Sequence, residues 1–381
     1  MSALYSLDEL KKLVRKIEVD MTEHKLLSNL IDKAKTLGET EQKRLRRLGE
    51  RVVKLSKSLD ELKFYRAIFS RNVDEVKNIP VGSVDGSFQV IGGVGGMWYM
   101  IVGAAYVTIP NGFGGAINYK VDADIKPKRY PDESFIRREA EIFMMLLETK
   151  CIRKLRSELS VQRRGNIFID GPIMDPWWCF NKDYISNRVE VIKESLSSGI
   201  RILGIVKRIM GSIFLREIQE LVNHRLLEGY VCDHDFISPI LSYYLIKKKH
   251  RPVFTKPFEY PRDETDLSDY DNKICKLYKM YLNEGIHIYY SYFKNSVRSK
   301  AYRVELVTKD ELSEEELDRE YMKVAQLIDL WSLPGFDIPL PVIIAHDKCN
   351  IRKGVAEKLY YEIITKMLNQ EQLTYLASLF S

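Results

Sequence analysis

The sequence changes character near residue 80, and the segment that follows sets strong limits on the fold. From Val81 to Ile109 the chain is rich in glycine, β-branched and aromatic residues and nearly free of charge. Such composition is typical of strands joined by glycine turns, because these side chains pack well on a pleated surface. We expect two or three antiparallel strands here. Residues 1 to about 76 instead repeat apolar residues at three- and four-residue spacings, which predicts helices.

Beyond Pro131 the pattern alternates between helix and strand. Helical stretches over 132–160 and about 183–196 each precede a short apolar run, NIFIDG and GIRILGIVKR, of a length that fits a buried strand. The runs IHIYYSYF and AYRVELV flank the basic segment KNSVRSK and predict a hairpin, after which SEEELDREYMKVAQLIDLWS and a final amphipathic stretch predict helices. Residues 236–271, which contain prolines and charges, are expected to form a long loop. The alternation predicts an α/β fold, a mixed sheet with helices on its faces.

Composition excludes several classes of protein. No run approaches eighteen uncharged apolar residues, and the N-terminus MSALYSLDELKKLVRK carries charges where a signal peptide needs an apolar core. We therefore expect a cytoplasmic protein that does not bind membranes. The five cysteines are far apart and lack zinc-site spacing, so free thiols are expected. The net charge of +6 is small, but local basic clusters permit binding to nucleic-acid phosphates. Such clusters are equally typical of solvated helix faces.

Two aspartates stand beside apolar strand runs. Asp85 lies in VGSVDGSF, and Asp170 ends the run NIFID. A buried ionised carboxylate is costly unless a cation pairs with it, and a divalent metal ion is one such partner. For Asp85, a tight turn at the Asp-Gly pair is an alternative, whereas Pro172 argues against a hairpin after Asp170. Carboxylates at the ends of neighbouring strands are how RNase H-like folds hold metal ions, and oxygen ligands suit magnesium or manganese better than zinc.

A glutamate and a histidine are further candidates. Glu139 and Glu141 lie on the helix between the two strands, about 200° apart around its axis, so both cannot face one site. The pattern alone does not choose between them. His346, followed by Asp347, comes after the apolar run PLPVIIA. An imidazole there either packs in the core or, near neutral pH, binds a metal ion or moves a proton.

The order and context of these residues resemble the NurA family of nucleases. SVDGS around Asp85, a helical glutamate, FIDGP around Asp170 and PLPVIIAHD around His346 match over roughly residues 80 to 355. The resemblance implies an RNase H-like fold, Mn²⁺ or Mg²⁺ as cofactor, and these side chains as catalytic metal ligands. Glu141 is the glutamate it favours, because REAEI overlays best on the family's helix. One departure is Ile338, which stands where the family has a tyrosine.

The resemblance also implies substrates and partners. NurA proteins are exonucleases and endonucleases that act on single-stranded and duplex DNA ends. They form homodimers and work with the hexameric HerA-type translocase in archaeal DNA-end resection and repair. The DNA backbone would be bound by basic residues at the exit of the strand GIRILGIVKR and in the hairpin. These are Lys207, Arg208, Lys294, Arg298 and Lys300.

The expected organisation has three parts. A helical region over 1–78 would serve dimerisation or partner docking. An RNase H-like nuclease domain would follow over 79–355, with an insertion around 210–285, and a helix over 356–381 would pack on it. Two other functions stay open. A catalytically weak or silent NurA-like DNA-binding subunit fits the missing tyrosine, and another RNase H-like nuclease or transposase, acting on a different nucleic acid, fits the carboxylates.

Overall fold

A computed structural model describes residues 24–68, 76–93, 96–160, 164–174, 178–219, 221–222, 224–248, 251–262, 268–333 and 338–367. The chain forms two compact units, Met1–Lys54 and Leu55–Ser381. In the first unit residues 24–54 are helical and belong to helix α1 (His24–Glu61). The predicted helix before residue 24, and residues 368–381 of the predicted C-terminal helix, lie outside the described residues.

The second unit contains the strands and the remaining helices. In chain order these are β1 (Tyr65–Ala67), β2 (Val81–Gly92), β3 (Met97–Ile109), β4 (Asn118–Arg129), α2 (Glu133–Leu159), β5 (Gly165–Asp170), α3 (Lys182–Ser197), β6 (Ile200–Val206), α4 (Ile213–Gln219), a 3₁₀ turn (His224–Leu226), α5 (Asp233–Lys247), β7 (Val253–Thr255), β8 (Phe258–Glu259), α6 (Asp269–Asn283), β9 (His287–Lys294), β10 (Tyr302–Thr308), α7 (Glu314–Trp331), α8 (Leu340–Cys349) and α9 (Lys353–Met367).

Ten strands of the described chain form one mixed sheet. Its order is β1-β7-β9-β10-β6-β5-β2-β3-β4, and β8 pairs with β9. Strands β2, β5 and β6 are parallel neighbours, and the other pairs are antiparallel. The glycine-rich segment forms antiparallel β2 and β3, and the two runs around KNSVRSK form the hairpin β9–β10. The predicted α/β class, a mixed sheet flanked by helices, is confirmed.

Helices pack on both faces of the sheet at β2, and successive residues of this strand face them in turn. Gly82 and Gly86 face α2, where a Cβ atom at residue 82 would lie 2.6 Å from the side chain of Leu155. The intervening residues face the opposite side, where α8 contacts β2 and β3. Helices α7 and α8 bury the larger hydrophobic core with residues of β5, β6 and β10. This core includes Phe168, Leu203, Val304, Leu306, Tyr321, Val324, Ile328, Val342 and Ala345.

Two expectations about secondary structure are wrong. Residues Tyr65–Ala67, expected to be helical, form β1, which pairs with β7. The expected loop over 236–271 contains most of α5, then β7 and β8, which pair with β9, and the start of α6. Acidic side chains lie in the first turns of α5 and α6, where negative charge stabilises a helix N-terminus, so these charges belong to helices and not to a loop. Pro239 lies inside α5, whose burial of Phe236 and neighbouring apolar side chains offsets the lost hydrogen bond.

No helix among the described residues is long and apolar enough to span a membrane.

Candidate metal centre

Asp85 and Asp170 lie next to each other on neighbouring parallel strands. Val84 of β2 is paired with Ile169 of β5, so the two aspartates that follow are at the same level of the sheet. Asp85 is in the middle of β2, where it is paired with Ala105 of β3, and Asp170 is the last residue of β5. The strand continues through Gly86, so the alternative of a tight turn at the Asp-Gly pair is wrong.

Helix α8 brings His346 to the two aspartates. The helix starts after Pro339, and His346 lies in its last turn. The Nδ1 atom of His346 is 2.7 Å from Asp85 Oδ2 and 3.5 Å from Asp170 Oδ2. One ligand atom from each of the three side chains lies within 4.8 Å of the others. The His346 side chain is half exposed, whereas both carboxylates are nearly buried, so the group opens to solvent on the histidine side.

Two polar side chains on the face of β2 that carries Asp85 form hydrogen bonds with the C-terminal end of α8 and the residues that follow it. The hydroxyl of Ser87 donates a hydrogen bond to the Cys349 carbonyl and accepts one from the backbone N–H of Ile351, at 3.1 Å. The side-chain amide of Gln89 donates to the Ile351 carbonyl at 3.0 Å. Sequence reasoning missed both residues. They stand two and four residues after Asp85, which places all three on one strand face, and this spacing was the available signal.

Burial and charge both act on Asp85. Burial, followed by the negative charge of Asp170, raises the pKa of Asp85 to about 6, although the hydrogen bond from His346 opposes this shift. The same carboxylates, after burial, raise the pKa of the Cys349 thiol well above its ordinary value. Two buried carboxylates so close together repel each other, and a cation between them would relieve that repulsion.

The donor set fits a divalent metal ion of the magnesium or manganese type. Two carboxylates supply hard oxygen atoms, which these ions prefer, and imidazole is an accepted additional ligand for manganese. The thiol of Cys349 donates to the His346 carbonyl at 3.4 Å and does not belong to the three-residue group. The chemistry of the group therefore supports a hard cation more than zinc.

The structure brings a different glutamate of α2 towards the site from the one expected. Glu148 is nearly buried, and a Cβ atom at residue 86 would lie 2.7 Å from its Oε1 atom. Glu141 is seven residues earlier, which puts it on nearly the same helix face but about 10 Å further along the axis. Neither glutamate belongs to the three-residue group, and burial alone raises the pKa of Glu141. Glu139 forms an ion pair with Lys128 of β4 at 3.2 Å.

The five basic residues expected to contact phosphate differ in their surroundings. Arg208, Arg298 and Lys300 are exposed. Lys207 follows β6, and its Nζ atom lies 2.5 Å from Asp170 Oδ2, inside the candidate site. Lys294 is only 3% exposed and donates a hydrogen bond to the Ser299 carbonyl. The ammonium group of Lys294 is buried within the hairpin and does not project from it. A phosphate contact by Lys294 is therefore not supported.

Comparisons with known proteins identify the family and the fold of the chain. The family model described as the NurA domain matches residues 80–351, which is most of the chain. No curated protein sequence matches the chain. Among solved structures, the NurA nuclease of Sulfolobus solfataricus is similar over 91% of this chain and 98% of its own, with 11% identity and a TM-score of 0.56.

Two endonuclease V structures are also similar, at lower TM-scores. The Bacillus subtilis enzyme has 11% identity and a TM-score of 0.34, covering 81% of this chain and 92% of its own. The catalytic domain of the human enzyme has 13% identity and a TM-score of 0.33, covering 81% and 98%. The family match, which spans both aspartates and His346, and the shared fold of the Sulfolobus protein lead to one assignment. The chain belongs to the NurA family of nucleases.

Proposed function

We propose that this protein is a divalent-metal-dependent DNA nuclease, and that Asp85, Asp170 and His346 bind its metal ion. The observation that carries the proposal is the convergence of two buried carboxylates and an imidazole, with ligand atoms within 4.8 Å of one another. Membership of the NurA family restricts the reaction to phosphodiester hydrolysis. Mn²⁺ or Mg²⁺ is the proposed cofactor, since the donors are mainly carboxylate oxygens.

Each side chain has a separate task in this proposal. A divalent cation supplies Lewis-acid polarisation of the phosphate and makes a bound water more acidic. Asp85 and Asp170 bind the cation from adjacent strands, and Glu148 of α2 replaces Glu141 as the glutamate that contributes to the site. His346, half exposed at the mouth, completes the ligand set or accepts a proton from the attacking water.

The proposed substrates are single-stranded and duplex DNA ends, cleaved by exonuclease or endonuclease action. Arg208, Arg298 and Lys300 are exposed cations able to neutralise backbone phosphates. Phosphate contacts position a strand but do not read its bases. Little sequence specificity is therefore expected, which suits an enzyme that resects and repairs DNA ends.

We further propose that the protein forms a homodimer and works in the cytoplasm with a HerA-type hexameric translocase. These partners come from the resemblance to the NurA family. An exposed face of β4 supports self-association: Tyr119, Val121 and Ile125 alternate along this strand at the edge of the sheet, and each is more than one-third exposed. Apolar residues on an exposed edge strand favour pairing with another chain.

An assay with end-labelled substrates tests the proposed activity. Single-stranded DNA, duplex DNA, RNA and an RNA–DNA hybrid are incubated with Mn²⁺, with Mg²⁺ or with EDTA. We expect DNA cleavage that requires a divalent ion and that Asp170→Asn abolishes, whereas Asp347→Asn, the matched change of an exposed neighbouring aspartate, leaves it unchanged.

Each alternative gives its own result in this assay. DNA binding without cleavage would indicate a silent subunit. That alternative has one structural observation in its favour: Ile338, at the family's tyrosine position, is buried in the hydrophobic core and offers no hydroxyl. Preferential cleavage of RNA or of the hybrid would indicate another kind of RNase H-like nuclease.

A further inference from the structure

Lys207 places a positive charge directly on a candidate metal ligand. The residue follows β6, the strand that pairs with β5 on the side away from β2. Its Nζ atom donates a hydrogen bond to Asp170 Oδ2 at 2.5 Å. The same oxygen is 3.5 Å from His346 Nδ1. The ammonium of Lys207 therefore lies directly beside the cluster of Asp85, Asp170 and His346, and it is not a remote surface charge.

This contact offsets the repulsion between two nearly buried carboxylates. The side chains of Asp85 and Asp170 are 7% and 5% exposed, so solvent screens their repulsion only weakly. The ammonium of Lys207 neutralises Asp170 from one side, and His346 hydrogen-bonds Asp85 from the other. Lysine is well suited to this task because it is a compact charge on a flexible stem.

A metal ion and the ammonium group would compete for the same oxygen. An ammonium group has no lone pair with which to join a coordination shell, and it repels a divalent cation. When a cation binds Asp170 Oδ2, Lys207 must move away. The Lys207 side chain is 38% exposed, so it has room to do so towards solvent. After that movement its ammonium group stays tethered to the end of β6, beside the site.

We propose that Lys207 is an exchangeable counterion: it neutralises Asp170 in the metal-free protein and contacts the scissile phosphodiester of the metal-loaded enzyme. The inference rests on the proposed nuclease function and adds a catalytic residue to it. During in-line hydrolysis negative charge accumulates on the non-bridging phosphate oxygens. A positioned ammonium group stabilises that charge in the transition state more than in the ground state.

Removing the charge of Lys207 should strengthen Mn²⁺ binding and slow DNA cleavage. Loss of a purely structural ion pair would not produce this combination of effects. Lys207→Met keeps the length of the side chain and removes its charge. Without the competing ammonium group, this variant binds Mn²⁺ at least about threefold more tightly in calorimetric titrations without DNA. At saturating Mn²⁺ it cleaves single-stranded DNA about 10- to 100-fold more slowly, the loss expected when one charge-stabilising donor is removed.

Two further variants serve as controls. Lys309→Met makes the same change at an exposed lysine that follows β10. Because β10 runs antiparallel to β6, Lys309 lies at the opposite end of the sheet from the site, and this variant should alter Mn²⁺ affinity and cleavage by less than about twofold. Lys207→Arg retains the charge and should restore part of the rate. Thermal melting monitored by circular dichroism establishes that each variant is folded.

Specific outcomes overturn the proposal. Weaker Mn²⁺ binding by Lys207→Met would mean that Lys207 merely holds Asp170 in position. An unchanged rate at saturating Mn²⁺ would exclude contact with the phosphodiester. If the wild-type protein itself fails to cleave DNA, the proposed function and the phosphate contact both fail, whereas tighter Mn²⁺ binding by Lys207→Met would still establish the counterion half.

Discussion

The Nδ1 atom of His346 lies 2.7 Å from Oδ2 of Asp85, although 261 positions separate the two residues in the sequence. This contact joins the last turn of α8 to the centre of β2. The bonds from Ser87 and Gln89 to the residues after α8 hold the same junction. The candidate site is therefore complete only when helix α8 has packed on β2.

The pH dependence of stability should reveal the repulsion at Asp85. Its folded-state pKa of about 6 lies above the ordinary value of 3.8, so the folded protein binds the proton more tightly than the unfolded chain does. Ionised Asp85 therefore lowers stability as pH rises from about 4 through 6. Asp85→Asn removes this loss. In EDTA, its free energy of unfolding relative to wild type should increase from pH 4.5 to 7.5, by on the order of 2 kcal/mol.

Urea unfolding at several pH values measures this difference. His346→Ala removes the hydrogen bond that opposes the rise in the pKa of Asp85. This variant should therefore lose more stability than wild type does as the pH rises to neutral. A difference between Asp85→Asn and wild type that is independent of pH would mean that Asp85 titrates normally in the folded protein.

Glu148 and Glu141 form a matched pair for testing which glutamate of α2 serves catalysis. Glu148 lies against Gly86 beside Asp85, whereas Glu141 is about two helical turns away. Glu148→Gln should lower the rate of Mn²⁺-dependent cleavage by at least about tenfold, the lower limit for disturbed metal-site residues. Glu141→Gln should change it by less than about twofold. Single-turnover cleavage assays on folded variants measure these effects. A larger loss of rate in Glu141→Gln than in Glu148→Gln would indicate that Glu141 is the catalytic glutamate.

The close approach of α2 to β2 depends on the absence of a side chain at Gly86. A Cβ atom there would lie 2.7 Å from Glu148 Oε1 and 2.8 Å from Met144 Cγ. Gly86→Ala should therefore destabilise the protein by about 1–3 kcal/mol, the usual cost of overpacking. Gly354→Ala is the matched control, since nothing lies within 4 Å of a Cβ at that position. Denaturant unfolding of both variants is the measurement, and equal stabilities would refute the close contact.

Self-association through β4 should be sensitive to charge on its exposed apolar face. Val121 is 62% exposed, and Val121→Glu places a carboxylate between Tyr119 and Ala123 on the same strand face. We expect multi-angle light scattering at micromolar concentration to give the mass of a dimer for wild type and of a monomer for this variant. Val297→Glu, the same change at an exposed valine of the hairpin, should stay dimeric. A monomeric wild type would contradict the proposed homodimer.

The sequence predicted the central strands and the two aspartates because the signals are local. An apolar run that ends in Asp-Gly identifies both Asp85 and Asp170, and parallel pairing of those runs brings the carboxylates together. The choice between Glu141 and Glu148 is not local. Both lie on nearly the same face of α2, and which of them is level with Asp85 depends on the register of helix against strand, which no sequence pattern encodes.

The role of Lys207 illustrates a second limit. In the sequence it is one of many lysines at the end of a strand, and its contact with Asp170 depends on β6 lying beside β5. Lys294 shows the opposite error: its position in a basic segment suggested exposure, but local folding of the hairpin buries it against Ser299. The loop expected over 236–271 was wrong because β7 and β8 are very short and are stabilised by pairing with β9.

Cleavage of DNA by Asp85→Asn tests the central claim most directly. Asparagine preserves the shape of the side chain but removes the charge that binds a metal ion, and the exposed basic residues are untouched. The rate of Mn²⁺-dependent cleavage of end-labelled single-stranded DNA should fall at least about 100-fold. Fluorescence anisotropy should show DNA affinity within about twofold of wild type, because backbone contacts supply most of the binding. Retention of the wild-type cleavage rate by the folded variant would contradict a catalytic metal site at Asp85.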